Sequence, residues 1–209
     1  MRKILLILLA AFTFQALIAQ ENQQEKGYNQ HDGFYLSMGL GPAFGKITDE
    51  MVGIGTLDFT GTGAQFDFKI GGAVSENFIL HASLISSSIP GPKVSGGGES
   101  TTLSNNLSIG ESMIGGGFTY YFMPANFFIS SSIGSGNFTI IDSKNDINIS
   151  TKRGLSLQLK VGKEWWVSKN WGLGISLTYG KTKLTNKADG IEEKLNSSRF
   201  GILFNATFN

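Results

Sequence analysis

His81-Ala82-Ser83 puts an imidazole and a hydroxyl two residues apart, which on an extended backbone places both side chains on one face. A base beside a hydroxyl can make a nucleophile, so this pair is the first candidate for catalysis. Against it stands a polar pair that only satisfies its own hydrogen bonds inside a packed interior, and this is the expectation adopted. A second set, Asp67, Lys69, Glu111, Lys160, Glu164 and Arg199, carries both signs of charge. Together with His81 it is expected to form a structural network, because charges taken out of water must find partners. Gly96-Gly97-Gly98 has no strand-to-helix context and no following Lys-Ser/Thr, so it predicts a flexible loop and not a phosphate cradle. His31-Asp32 gives two adjacent ligand types in a chain with only two histidines, and cysteine is absent. No metal site, disulfide framework or cofactor is expected.

The elements that hold these residues begin after an address segment. Arg2 and Lys3, the apolar run from Ile4 to Phe12 and the small residue Ala19 have the charged, apolar and cleavage regions of a secretory signal peptide. We read residues 1–19 as that peptide, 20–32 as a polar, mobile periplasmic lead-in and 33–209 as one domain. No later apolar run is long enough for a spanning helix. With 17 basic and 16 acidic residues, two of the basic ones in the leader, the mature chain is close to neutral, and nucleic acid is excluded as an expected partner. Charged residues reach only 16% while glycine numbers 28 and proline 4, which disfavours disorder and charged helical bundles and favours β-structure.

From Gly33 the hydrophobic period is two. Eight segments show it: 33–44, 61–74, 78–88, 109–123, 127–139, 153–167, 171–184 and 198–208. The sixth is clearest, with Leu155, Leu157, Leu159, Val161 and Trp165 opposite Ser156, Gln158, Lys160, Gly162 and Glu164. In the last, Phe200, Ile202, Phe204 and Phe208 share a face and Leu203 breaks the pattern; in the sixth, Lys163 falls among the apolar residues and is expected to snorkel to an interface or mark a bulge. Connections alternate between three-residue turns ending in Asn77, Asn126 and Asn170 and long polar stretches over 45–60, 89–108, 140–152 and 185–197.

In a water-soluble β-protein the apolar face would be the inner one. Here the apolar face is bulky, with Phe, Leu, Ile and Trp, while the other is rich in Gly, Ser and Ala, which suits the narrow lumen of an eight-stranded barrel. Segments of about ten residues cross a bilayer when tilted, and closure leaves no edge unpaired in hydrocarbon. We therefore expect an all-β, eight-stranded antiparallel up-and-down transmembrane β-barrel, with the charged set in its lumen. Phe34, Phe78, Phe122, Phe127, Trp165, Trp171 and Phe208 would form an aromatic girdle at the periplasmic rim, joined by Tyr35, Phe128 and Trp166. The short turns and both termini would lie on that side, and the four long connections outside.

The leader, the alternating segments, the Asn-aromatic turns and the closing run Arg199-Phe200-Gly201-Ile202-Leu203-Phe204-Asn205-Ala206-Thr207-Phe208 resemble the outer-membrane β-barrel domain family, in particular its small OmpA/OmpX-like members. Such members usually end on the aromatic residue, whereas here Asn209 follows it. The resemblance implies a cell outer-membrane location. It also implies contact with the lipid bilayer and lipopolysaccharide, insertion by barrel-assembly machinery, and a monomer. A non-enzymatic role in envelope integrity or in surface recognition of an extracellular ligand at the loops is expected. The alternatives are a narrow channel for small solutes and a lipid A-modifying enzyme, since His81-Ala82-Ser83 also resembles the His-x-Ser pair of lipid A deacylases.

Overall fold

The computed structural model describes residues 30–188 and 191–209, so the signal-peptide segment and most of the lead-in lie outside the described residues. The chain forms eleven strands: β1 (Phe34–Met51), β2 (Gly55–Ser75), β3 (Phe78–Pro90), β4 (Lys93–Gly96), β5 (Glu99–Thr102), β6 (Leu107–Phe122), β7 (Phe127–Asp142), β8 (Ile147–Ser150), β9 (Gly154–Trp166), β10 (Trp171–Ala188) and β11 (Ile191–Phe208). Eight of them, β1, β2, β3, β6, β7, β9, β10 and β11, pair antiparallel with their neighbours around a ring. The first strand closes on the last, with Leu36 opposite Phe208 and Phe44 opposite Phe200. No helix among the described residues is long and apolar enough to cross a membrane.

The barrel is inside out. Along β9, Leu155, Leu157, Leu159 and Val161 are exposed while Ser156, Gln158 and Lys160 between them are buried. Leu159 is 58% exposed and its neighbour Gln158 only 2%. Leu40, Leu84, Ile114, Ile133, Ile175, Leu177 and Phe204 continue this apolar belt around the ring. A belt of this kind is stable only against hydrocarbon, because water would charge the full cost of its exposed area. Leu203, which breaks the alternation of β11, is fully buried and faces the lumen.

Three of the turns lie at the end that carries His31 and Asn209. Asn77 and Asn126 adopt left-handed backbone, with φ of 63° and 54°, as tight turns require and asparagine tolerates. Of the expected girdle, Phe34, Phe122, Phe127, Trp165 and Trp171 are exposed at this rim, and Phe208 packs against Phe34 and Trp171 at centroid distances of 6.3 and 5.4 Å. Phe78 lies 5.7 Å from Phe118 and 6.5 Å from Tyr120. Lys163 snorkels: its Nζ donates to the carbonyl of Ala125 at 2.9 Å and sits 4.4 Å above the Phe127 ring.

Two expectations are corrected here. Tyr35 and Phe128 are buried and point inward, where they pack with Ile79 and Tyr121, because they stand on the opposite parity from Phe34 and Phe127. The stretches 45–60 and 185–197 are not free polar loops. β1 and β2 stay in register out to Met51 and Gly55, and β10 and β11 out to Ala188 and Ile191. The alternation continues there with its sense reversed, Ile47 turning in and Lys46 out, since beyond the belt the surroundings are water. The other two connections are also partly folded. β4 and β5 make a hairpin that pairs with β2, and β8 pairs with the end of β7.

Candidate functional site

The lumen is filled in three layers. At the terminal end, Tyr35, Ile79, Tyr121 and Phe128 form an apolar floor. His31 lies on it, stacked on Tyr121 with centroids 3.4 Å apart, tilted against Trp166, and donating from Nε2 to Oδ1 of Asn126 at 2.8 Å. The expectation of a lead-in mobile through Asp32 is thereby corrected: burial of the His31 ring fixes its last residues across the barrel mouth. At the distal end Ile47, Ile109, Phe138, Leu184 and Leu195 form a second apolar cluster, capped by Phe59.

Between these layers the structure gathers all seven expected polar residues, each buried. Asp67 accepts from Gln65 at 2.7 Å, from Gln158 at 2.8 Å and from Lys160 at 3.5 Å. Arg199 donates to Gln65 at 2.8 Å, to Ser87 at 3.1 Å and to Glu111 at 2.9 Å. Glu111 also accepts from Thr182 at 2.7 Å. Lys69 donates to Ser130 at 2.6 Å, and Glu164 accepts from Thr207 at 2.7 Å and Tyr121 at 3.2 Å. Three cations thus face three carboxylates, two pairs in direct contact and Lys69 and Glu164 met by hydroxyls. Such satisfaction is what allows charges to stay buried.

Reading charges alone missed Gln65 and Gln158, the amides that link the two ion pairs into one network. Their signal was present, since both share the parity of Asp67 and Lys160. Beside Arg199 and Glu111 remains a void of about 10 Å³, which is room for about one water molecule.

His81 and Ser83 do meet: Nδ1 and Oγ share a hydrogen bond of 3.0 Å. On its other side His81 contacts Thr119 at 3.1 Å, and Ser83 contacts Ser132 at 3.0 Å. No carboxylate orients the imidazole through these contacts, and His81 and Ser83 are 6% and 3% exposed. A nucleophile needs a substrate within reach; here the surrounding space is taken by other side chains.

Beyond the belt, Asp49 faces Glu193 above the distal apolar cluster. Burial first, then the nearby Glu193 carboxylate and a hydrogen bond to it, pushes the Asp49 carboxyl up to about 6. Asn186 donates to Glu193 at 3.0 Å. A group that holds its proton more tightly folded than unfolded supports the fold fully below its ordinary value of 3.8 and loses that support as pH rises through about 6. The distal ribbon is therefore expected to be more protected at pH 4 than at pH 7 in amide exchange, and Asp49→Asn to remove the difference while slowing exchange at pH 7. Equal protection of the wild type at both pH values would contradict this.

No protein-family model matches the sequence, and no curated protein does. Solved structures share the architecture. Neisserial surface protein A is 12% identical, with 81% of this chain and 96% of that one covered at a TM-score of 0.52. The outer membrane protein OprG from Pseudomonas aeruginosa is 14% identical, with 88% and 100% covered at a TM-score of 0.50. At these identities the likeness is one of fold: the closed eight-stranded barrel of outer-membrane proteins.

Proposed function

We propose that this outer-membrane barrel is a non-enzymatic, non-conducting scaffold that holds a rigid β-platform outside the cell for surface recognition. The observation that carries the reading is the packed lumen: an aromatic floor, a hydrogen-bonded polar middle and an apolar distal cluster fill it in turn. An eight-stranded barrel has an interior about wide enough for its own side chains, which fits a plug better than a channel. The buried His81–Ser83 pair is read as part of that plug. What remains open to partners is the distal end, where Val52, Ile54, Ile147 and Ile149 are exposed at the tips of ribbons stiffened by strand pairing. Apolar side chains displayed to water away from a lipid belt mark contact surfaces for macromolecules.

The purified barrel in planar bilayers is expected to give no unitary current above background. Cells displaying it should adhere to protein-coated surfaces more than cells displaying equal amounts of the I54S/I147S/I149S variant. Steady single-channel steps would overturn the plug, and equal adherence would overturn the recognition role.

A further inference from the structure

Polar atoms that the fold leaves unmatched gather at one place. Among the described residues, seven buried side-chain atoms lack a hydrogen-bond partner, and five of them surround the barrel mouth: Nδ1 of His31, Oδ1 of Asn77, Nδ2 of Asn126, Nε1 of Trp166 and Nδ2 of Asn209. Each is unfavourable where it is and would be satisfied by water. His31 is the hub of this cluster. Its carbonyl accepts from the amide of Asn77 at 3.0 Å, its Nε2 donates to Oδ1 of Asn126 at 2.8 Å, and its ring meets those of Tyr121 and Trp166 with centroids 3.4 and 4.9 Å away. Asn209 stands beside the ring without closing a hydrogen bond to it, so Nδ1 is left over. One residue therefore ties together the β2–β3 turn, the β6–β7 turn and the ends of β9 and β11.

Nothing described at the mouth is placed to hold a second proton on this ring. Asp32, the next residue, is exposed, as is Glu76 in the β2–β3 turn. The Tyr121 hydroxyl is turned to Glu164 at 3.2 Å, and Lys163, near the β6–β7 turn, is held by the carbonyl of Ala125 at 2.9 Å. Burial holds the imidazole below its ordinary value of 6.5, against smaller opposing contributions from the Asn126 and Asn209 carboxamides and from Asp32. A base whose value falls on folding supports the closed mouth fully above 6.5 and loses that support as pH drops through its folded value. The sign is opposite to that of Asp49 at the distal end.

We propose that His31 is an acid-released latch: neutral, it holds Gln30-His31-Asp32 across the barrel mouth; protonated, it leaves its slot and lets water reach the unmatched atoms of Asn77, Asn126, Trp166 and Asn209. Two effects act together on release. The imidazolium regains its hydration, and four stranded polar atoms gain partners. The latch is poised, since ring packing and two hydrogen bonds are what hold it shut. Beneath it Tyr35, Ile79, Tyr121 and Phe128 pack on one another, so the acid form is a folded barrel with an uncovered mouth.

The test uses the full mature barrel in phosphatidylcholine nanodiscs, with isotope-labelled histidine followed by NMR and amide exchange at Asn77 read as a protection factor. The chain has only two histidines, so His31→Phe identifies the His31 signals. Well above 6.5 the His31 ring should show the upfield shift of a ring stacked on an aromatic, and in acid that shift should vanish. Protection of the Asn77 amide should fall about tenfold per pH unit below 6.5 until the folded value is reached. His31→Phe fills the slot and takes no proton, so its Asn77 protection should not change with pH. His31→Ala should migrate as a folded barrel and lose that protection at every pH. A His31 ring that takes its proton and stays shielded overturns the latch, and so does a His31→Phe barrel whose Asn77 protection still falls in acid. Wild-type protection in His31→Ala at neutral pH would show the Asn77 amide held by something else, and overturns it as well.

Discussion

Arg199→Met is expected to destabilise the barrel by about 3–5 kcal/mol, the usual consequence of leaving one member of a buried ion pair alone. Arg199 sits 5% exposed against Glu111 at 2.9 Å and also holds Gln65 and Ser87. Its removal strands the Glu111 carboxylate with only Thr182 as donor, in a wall where water has room for about one molecule. The double variant E111L/R199M leaves no charge unpaired and should recover most of the loss, since apolar groups of similar volume often replace a buried pair at little cost. Urea unfolding in phospholipid vesicles, followed by tryptophan fluorescence, gives both values. A single-variant loss below about 1 kcal/mol, or a double variant no better than the single, would mean that the pair is not the linchpin of the polar layer.

Leu159→Arg carries the second large effect. Leu159 lies at mid-belt on β9, flanked by Leu157 and Val161 on the same face. An arginine at the bilayer midplane of a barrel costs about 2–4 kcal/mol, falling toward zero near the interfaces. The same substitution at a 58% exposed site of a water-soluble protein would change little. Moving the arginine along the strand to position 155, nearer the distal interface, should reduce the cost. A flat profile along 155, 157 and 159 would contradict a lipid-facing belt, whatever the fold.

The strands were legible wherever a single rule applied. Between Leu155 and Val161 apolar and polar residues alternate without interruption, and a period of two with apolar bulk on one side already separates lipid from lumen. Even Leu203, which spoils the alternation, marked itself as a residue to be explained. The rule failed where the environment changed. Beyond Phe44 and Tyr179 the pattern goes on as Lys46, Ile47, Thr48 and as Lys181, Thr182, Lys183, Leu184, but water has replaced lipid outside, so apolar bulk turns inward and the ribbon reads as a polar loop.

The seven polar residues of the lumen could be named from their parity, because side-chain direction on a strand is a local property. Their partners could not. That Arg199 meets Glu111, 88 positions away in the chain by number, or that His31 closes the mouth by stacking on Tyr121, depends on strand tilt and register around a closed ring. So the sequence by itself determined which residues share a face of each strand and where the short turns fall. Only the tertiary structure decided which charges touch and that apolar clusters stand above and below them in the lumen, since pairing and packing are set by distances across the barrel and not by spacing along the chain.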